Sequence, residues 1–351
     1  MTLKQRGSLF LCWTVFLGAC VANIRAEIKL LTPGGYLPGV PFLARVEVLK
    51  YDARDWDKWD QTATLSSDQP GVTLSTNTVT LRNGLGTALI TINGTANFNL
   101  TAQVGAEQIS RSVTNRSSQS VTTVSGTLAG TASTWSGVVH ITGTVTVPAT
   151  HTLTIDPGTL VLIDGVTSGT TGINIVVNGA IRSLGTETAP VVITCNNATA
   201  NWGQIRHETS QPSLYQYTLI SRAGRTAGEG HTATGPAIRV TNSTVDFESS
   251  VISDLQAGGV NIGKIMMATG SALTFNNCVL TRARMGPEIA TTGLVLTNSY
   301  IMEMHGPDDC DGFYLHDSGG QSLLITGCVI ADGDDDAIDT LDANVTVENC
   351  I

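Results

Sequence analysis

Between Glu303 and Ile351 the chain carries twelve carboxylates and no lysine or arginine. They gather in two clusters, Asp308-Asp309-Cys310-Asp311-Gly312-Phe313 and Asp332-Gly333-Asp334-Asp335-Asp336-Ala337-Ile338. Crowded acids without counter-charges must raise their pKa values, gather cations or face water. Each outcome has its chemistry. A carboxyl that keeps its proton beside one that has lost it can work as an acid–base pair. Oxygen-rich clusters can hold calcium, for which Asp308, Asp309, Asp332 and Asp336 are the candidate ligands. The structural alternative is that these aspartates only turn corners, because Asp favours turns and tolerates strained backbone. His305 and His316 flank the first cluster and rank below the aspartates as functional groups.

The elements that must position these acids are legible as a repeat. The segments beginning at Val245, Leu273, Leu294, Leu323 and Val345 superimpose, and one beginning at Tyr215 fits more loosely. Their common positions are Thr218, Ser250, Cys278, Ser299, Cys328 and Cys350, separated by 32, 28, 21, 29 and 22 residues. A period in this range means a solenoid. Asp311 and Asp334 are 23 residues apart, one coil, so they should stack about 5 Å from each other. The same register predicts an internal ladder of small residues, in which Cys278, Cys328 and Cys350 are structural.

The solenoid pattern starts near Trp135. Strand, "LTIDPGT" (153–159), strand, "VNGAI" (177–181), strand and "WGQI" (202–205) follow in order. This succession closely resembles the opening coils of bacterial right-handed parallel β-helices. The two acidic clusters are similar to those of the polygalacturonase family of glycoside hydrolases, also β-helical: Asp309-Cys310-Asp311-Gly312 stands for its Asn-Thr-Asp-Gly stretch, and Gly333-Asp334-Asp335 for its Gly/Gln-Asp-Asp stretch. The resemblance implies inverting hydrolysis with Asp311, Asp334 and Asp335 as general acid and water-activating bases. Asp309 and Cys310 depart from the family's Asn and Thr. Its His-Gly motif and basic substrate clamp would fall beyond Ile351. The Asp335-Asp336-Ala337-Ile338-Asp339 coil also resembles β-helices of large bacterial surface proteins, which precede further modules. A calcium-dependent polysaccharide lyase would need an arginine base, for which Arg282 and Arg284 are the candidates.

Ahead of the solenoid, residues 27–113 read as a small β-sandwich. Alternation over Ala44–Val48 and Phe98–Val104, and turns at Pro33-Gly34, Pro38-Gly39 and Asn83-Gly84, mark its strands. The order of 80–88 before two alternating strands resembles bacterial immunoglobulin-like domains, usually spacers or adhesive units. Trp56 and Trp59 are candidates for stacking on a sugar, although packing on the sandwich edge is the commoner use. Residues 114–134 form a linker and the lead-in to the solenoid, which occupies 135–351. The repeat breaks off at Ile351 within a coil, so the chain is expected to be the front part of a longer protein with further C-terminal domains.

Residues 1–26 are a signal peptide: Lys4 and Arg6 precede the apolar run Leu9–Val21, too short to span a bilayer. Leu17-Gly18-Ala19-Cys20 offers lipoprotein anchoring through Cys20 as the alternative to free secretion, and the mature chain has no transmembrane segment. Either way the protein is expected outside the cell or on its surface. A formal charge of -10, with 19 Lys and Arg, argues against nucleic acid. Five cysteines remain after processing, with no CxxC pair, so neither a disulfide scaffold nor a zinc site is expected. An all-β protein binding extended polysaccharide in a structural or adhesive role is the leading expectation, with the hydrolase and then the lyase as alternatives.

Overall fold

The computed structural model describes residues 27–50, 53–54, 60–257, 260–261 and 263–351, and among them no helix forms. The expected signal peptide with Cys20, and Trp56 and Trp59, lie outside the described residues. The body is a right-handed parallel β-helix, the handedness that parallel crossovers almost always take. Each coil adds one strand to each of three sheets. Two of these are arms of a 16-stranded sheet that meet at the long strand Val138–Val147, and the third has nine strands.

The first arm runs through Leu160–Ile163, Val191–Cys195, Thr218–Ser221, Val251–Ser253, Val279–Ala283, Tyr300–Met304 and Val329–Gly333. The second runs through Ile175–Val177, Ile205–Glu208, Gly235–Thr241, Gly263–Thr269, Met285–Ala290, Tyr314–His316 and Asp339–Leu341. The strand Val121–Thr127 pairs with Val138–Val147, so the solenoid sheet already begins in the lead-in segment.

Inside the coils, alternating residues stack in register. Tyr215, Phe247 and Phe275 form a column with centroids 5.0 and 4.8 Å apart and nearly parallel rings. Among the buried polar residues is His207, which binds the Tyr215 hydroxyl at 2.9 Å; burial lowers its pKa to about 3 and keeps it neutral. The small-residue ladder is present. The amides of Thr218 and Cys278 donate to the hydroxyls of Ser250 and Ser299 one coil on, both at 3.0 Å, and the Cys328 amide to the Cys350 sulfur at 3.4 Å. A second ladder, Ser243, Ser271 and Thr292, stitches the opposite corner in the same way. Its Ser and Thr are common in this chain, so no residue type marks it in the sequence.

Residues 27–115 fold as two five-stranded sheets over one apolar core, with Val46, Val48, Leu65, Ile92 and Leu100 fully buried. This sandwich is no separate bead. It lies along the outer face of the first arm, where Leu31, Leu43 and Leu85 join Leu160, Val192, Leu219, Val251, Val279, Tyr300 and Val329 in one apolar cluster. Polar contacts pin it. Tyr300 donates to the Asn83 carbonyl at 2.7 Å, and Arg45 to the Asn277 carbonyl and side chain at 3.0 and 2.9 Å. Arg116, just past the sandwich, donates to the Gly158 carbonyl at 2.8 Å and fixes the segment read as a linker.

At the corner after the first arm, one residue per coil is left-handed: Arg222, Asp254, Arg282, Glu303 and Asp332, with φ between 52 and 62°. In this column Arg282 spends all five of its N–H donors. It takes Asp254 through two bonds at 2.9 and 2.8 Å, Glu303 at 3.0 Å, and the carbonyl and hydroxyl of Thr87 on the sandwich at 3.0 and 2.9 Å. Burial works against its charge, but Asp254 and Glu303 outweigh that and raise its pKa.

Arg282→Met would leave Glu303 without its cation, leave Asp254 only Arg222 of its two, and cut the sandwich contact. A loss of about 3–5 kcal/mol is expected from removing one partner of a buried ion pair. Urea unfolding followed by tryptophan fluorescence and far-UV circular dichroism checks it. A loss below about 1 kcal/mol would show that the column does not carry this weight.

Candidate functional site

The two acidic clusters lie in the turns that lead into the second arm, beside its outer face, where the register aligns Glu288, Tyr314 and Asp339 in one row whose first two members are buried. Three loops border it: 225–234, 305–313 and 332–338. The left-handed corners explain some of the aspartates. Asp309, Asp317, Asp332 and Asp342 have φ of 50, 46, 58 and 56°, so the corner reading holds for these four. Asp311, Asp335 and Asp336 have no such backbone reason for being acidic.

Asp311 is the most constrained. It is 3% exposed. Burial, then the charges of Asp335 and Asp339, push its pKa up to about 6, against a weaker opposing pull from the Asp336 amide. Gly312 follows because the chain is crowded there: a Cβ would sit 2.5 Å from the Ala337 carbonyl. Oxygens of Asp311, Asp335 and Asp336 lie within 4.8 Å of one another, as do those of Asp308, Asp309 and Asp335. Both sets are oxygen-only, which suits a hard cation such as calcium. A cavity of about 190 Å³ opens beside them, walled by Met304, Gly312, Ile330, Asp335, Asp336 and Ala337.

Asp334 takes another direction. It accepts from His305 at 3.1 Å and from the Gly306 amide at 3.1 Å, and the first of these in particular lowers its pKa. Asp332 is drawn away too, to Arg82 of the sandwich at 3.3 Å. Of the acids that sequence reasoning grouped, the fold therefore brings Asp308, Asp309, Asp311, Asp335 and Asp336 together and assigns Asp332 and Asp334 to other partners. The two nominated arginines differ as well. Arg282 is fully engaged by its acids and Thr87, and its raised pKa makes it no base. Arg284 runs beneath the acidic loop, against Gly306.

Other residues at the site, His316 apart, had no sequence signal. His231 reaches Asp309 at 3.1 Å, with its ring 4.7 Å from that of Tyr314. Its amide donates to both oxygens of Glu288 at 3.0 Å, and Glu288 is paired in turn with the buried Lys264. His316 stacks on the other side of Tyr314 at 4.9 Å, its ring 3.6 Å from Glu288. The carboxylate of Glu288 thus clips loop 225–234 over the sheet. His231 and Asp309 are 78 positions apart, and no periodicity links a loop of one coil to the wall of a later one.

Chemically, the arrangement offers a carboxyl that holds its proton to about pH 6 and a nearby loop carboxylate, Asp334, that gives its proton up early. The sign of the linkage follows. Asp311 has a folded pKa above its ordinary value of 3.8, so from this group stability is present below that value and lost as pH rises through about 6. His207, neutral when folded, pulls the opposite way over part of the same range. The difference between Asp311→Asn and wild type isolates the carboxyl. The variant is expected to match wild type near pH 4 and to be the more stable by pH 7, in urea melts at both pH values; a difference independent of pH would contradict the assigned strain.

No family model and no curated protein matches the chain. Two solved structures are similar to it. Domains 4 and 5 of the S-layer protein SbsC align at 16% identity over 25% of this chain and half of that one, with a TM-score of 0.20. Dex49A from Penicillium minioluteum aligns at 7% identity over 90% of this chain and 77% of that one, with a TM-score of 0.29. Likenesses this slight carry no argument about what the chain does. Among the described residues, no helix is long and apolar enough to cross a membrane.

Proposed function

We propose that this is an extracellular or cell-surface protein that binds an extended polysaccharide along the open face of the second arm, in a structural or adhesive role. The observation that carries the reading is the convergence on one face of Asp311, Asp335 and Asp336 with the His231–Tyr314–His316 stack. The first arm is unavailable, since the sandwich covers it. A straight row of parallel strands suits an extended polymer, and hydroxyl groups of sugars are natural donors to carboxylates. The signal peptide, with or without a lipid on Cys20, would deliver the protein to where such polymers are found.

Glycoside hydrolysis is a second reading, favoured by Asp311 keeping its proton to about pH 6. Asp311 would then be the general acid. The contact of its carboxyl with Asp335, within 4.8 Å, is shorter than the roughly 6.5–9.5 Å that inverting hydrolysis leaves for a water between carboxyl groups. The lyase reading has lost Arg282.

Retention of the protein in affinity electrophoresis gels containing neutral or acidic polysaccharide tests binding. Wild type should be retarded by at least one polymer, and Asp311→Asn with Asp335→Asn should weaken this at least 10-fold. Absence of retardation, or equal retardation of the variant, would sink the proposal. Release of reducing ends by the full-length protein separates the hydrolase from the binder, and none from any retained polymer would remove the hydrolase.

Calcium belongs to the same proposal, held by Asp311, Asp335 and Asp336 or by Asp308, Asp309 and Asp335. Millimolar Ca²⁺ is expected to raise the melting temperature of wild type by several degrees, and that of Asp335→Asn by less. An unchanged wild-type melting temperature would take calcium out of the account.

A further inference from the structure

The hairpin turn at Arg82–Leu85 is seated on two coils at once. It closes with Arg82 and Leu85 exchanging backbone bonds at 2.7 and 3.0 Å. The Asn83 carbonyl accepts from the buried Tyr300 hydroxyl, and Leu85 is fully buried in the cluster that holds Tyr300, Met302 and Val329. From this fixed base Arg82 extends to Asp332, while Asp60 of the sandwich binds its other nitrogen.

The position of Asp332 gives that contact its weight. It ends the charged corner column, where Arg222, Asp254, Arg282 and Glu303 alternate in sign. Asp332 breaks the alternation, following one acid with another, and the solenoid supplies no cation for it among its described ion pairs. The sandwich does. Two residues on, the Asp334 amide donates to the Met304 carbonyl at 3.0 Å, and its carboxylate is held by His305 and Gly306. The chain thus enters the loop from the ladder that pairs Gly333 with Met304, with the Asp332 side chain held by the sandwich and the Asp334 carboxylate by the preceding coil. Only then does it project Asp335 and Asp336 toward Asp311, with the Asp336 carbonyl taking the Gly312 amide at 2.9 Å.

We propose that Arg82 is a positioning residue for the acidic loop 332–338, which makes the sandwich a working part of the site rather than a spacer ahead of it. The inference rests on the reading of that face as the functional one. Arg82 acts through Asp332, at the far end of a three-residue lever from Asp335. Without it the left-handed corner keeps two successive acids and loses the cation between the domains, and the loop relaxes outward.

The approach of loop 332–338 to the preceding coil is read by the amides that bond to it, Gly312 to the Asp336 carbonyl at 2.9 Å and Phe313 to the Ala337 carbonyl at 3.2 Å, and needs no polysaccharide. Amide hydrogen exchange in the full chain follows them. Arg82→Ala is expected to speed exchange at Gly312 and Phe313 at least ~10-fold while the strands of the first arm keep their protection. Arg82→Lys should restore most of the protection, and Asp332→Asn should match Arg82→Ala with no further change in the double variant. Arg45→Gln breaks a different sandwich contact, to Asn277, and should lower the melting temperature while leaving exchange at Gly312 and Phe313 in place. Unchanged exchange at these two amides in Arg82→Ala, or an equal change in Arg45→Gln, overturns the proposal. Lack of polysaccharide retention by wild type would overturn the functional reading alone, because the exchange result stands or falls without it.

Discussion

Coil after coil, the first arm turns an apolar side chain outward: Leu160, Val192, Leu219, Val251, Val279, Tyr300 and Val329. A parallel sheet with both faces apolar has to be covered on both. The interior fills one side, and the sandwich fills the other with Leu31, Leu43 and Leu85. Burial on that scale, roughly 25 cal/mol per Å² of apolar surface, is what orders the two domains. The directional contacts of Arg45, Tyr300, Arg282 and Arg82 then set the register at which they meet. The sandwich is thereby a side wall of the solenoid and not a tether ahead of it.

The covering of one arm decides where chemistry can occur. It leaves the outer face of the second arm open, and loop 225–234 folds across that face because Glu288 receives it. Glu288 is tolerable in so buried a place only because Lys264 shares the burial; burial also lowers the lysine's pKa, against the pull of its partner. The result is a graded set of acids. Glu288 is paired with Lys264 and structural, Asp334 is held ionised by donors, and Asp311 is crowded into keeping its proton. Residues identical in type thus differ in chemistry through their surroundings.

The ladder of Thr218, Ser250, Cys278, Ser299, Cys328 and Cys350 was readable because its spacing follows the coil and each rung repeats the same small-residue requirement. The meeting of the two acidic clusters on neighbouring coils was readable for the same reason, but the expected pairing of Asp311 with Asp334 was not formed: the Gly312 amide takes the Asp336 carbonyl, which sets Asp335 and Asp336 beside Asp311. The division of the acids was not readable. Whether a given aspartate turns a corner, meets another acid or finds a cation depends on φ and on the side chain opposite, and Asp332 and Asp334 were lost to Arg82 and His305 by contacts 250 and 29 positions away. The lateral docking of the sandwich was equally hidden, since its apolar surface residues read in sequence as ordinary strand alternation.

By itself, then, the sequence determined what repeats. Strand period, coil length, internal ladder and the gathering of acids at one end all follow from local pattern, because backbone stacking imposes the same demand on every coil. The tertiary structure alone decided what meets across coils and across domains: His231 with Asp309, Glu288 with Lys264, Arg82 with Asp332 and the sandwich with the first arm. Those pairings are single events in space with no period to announce them, and they are the ones that give each acid its charge.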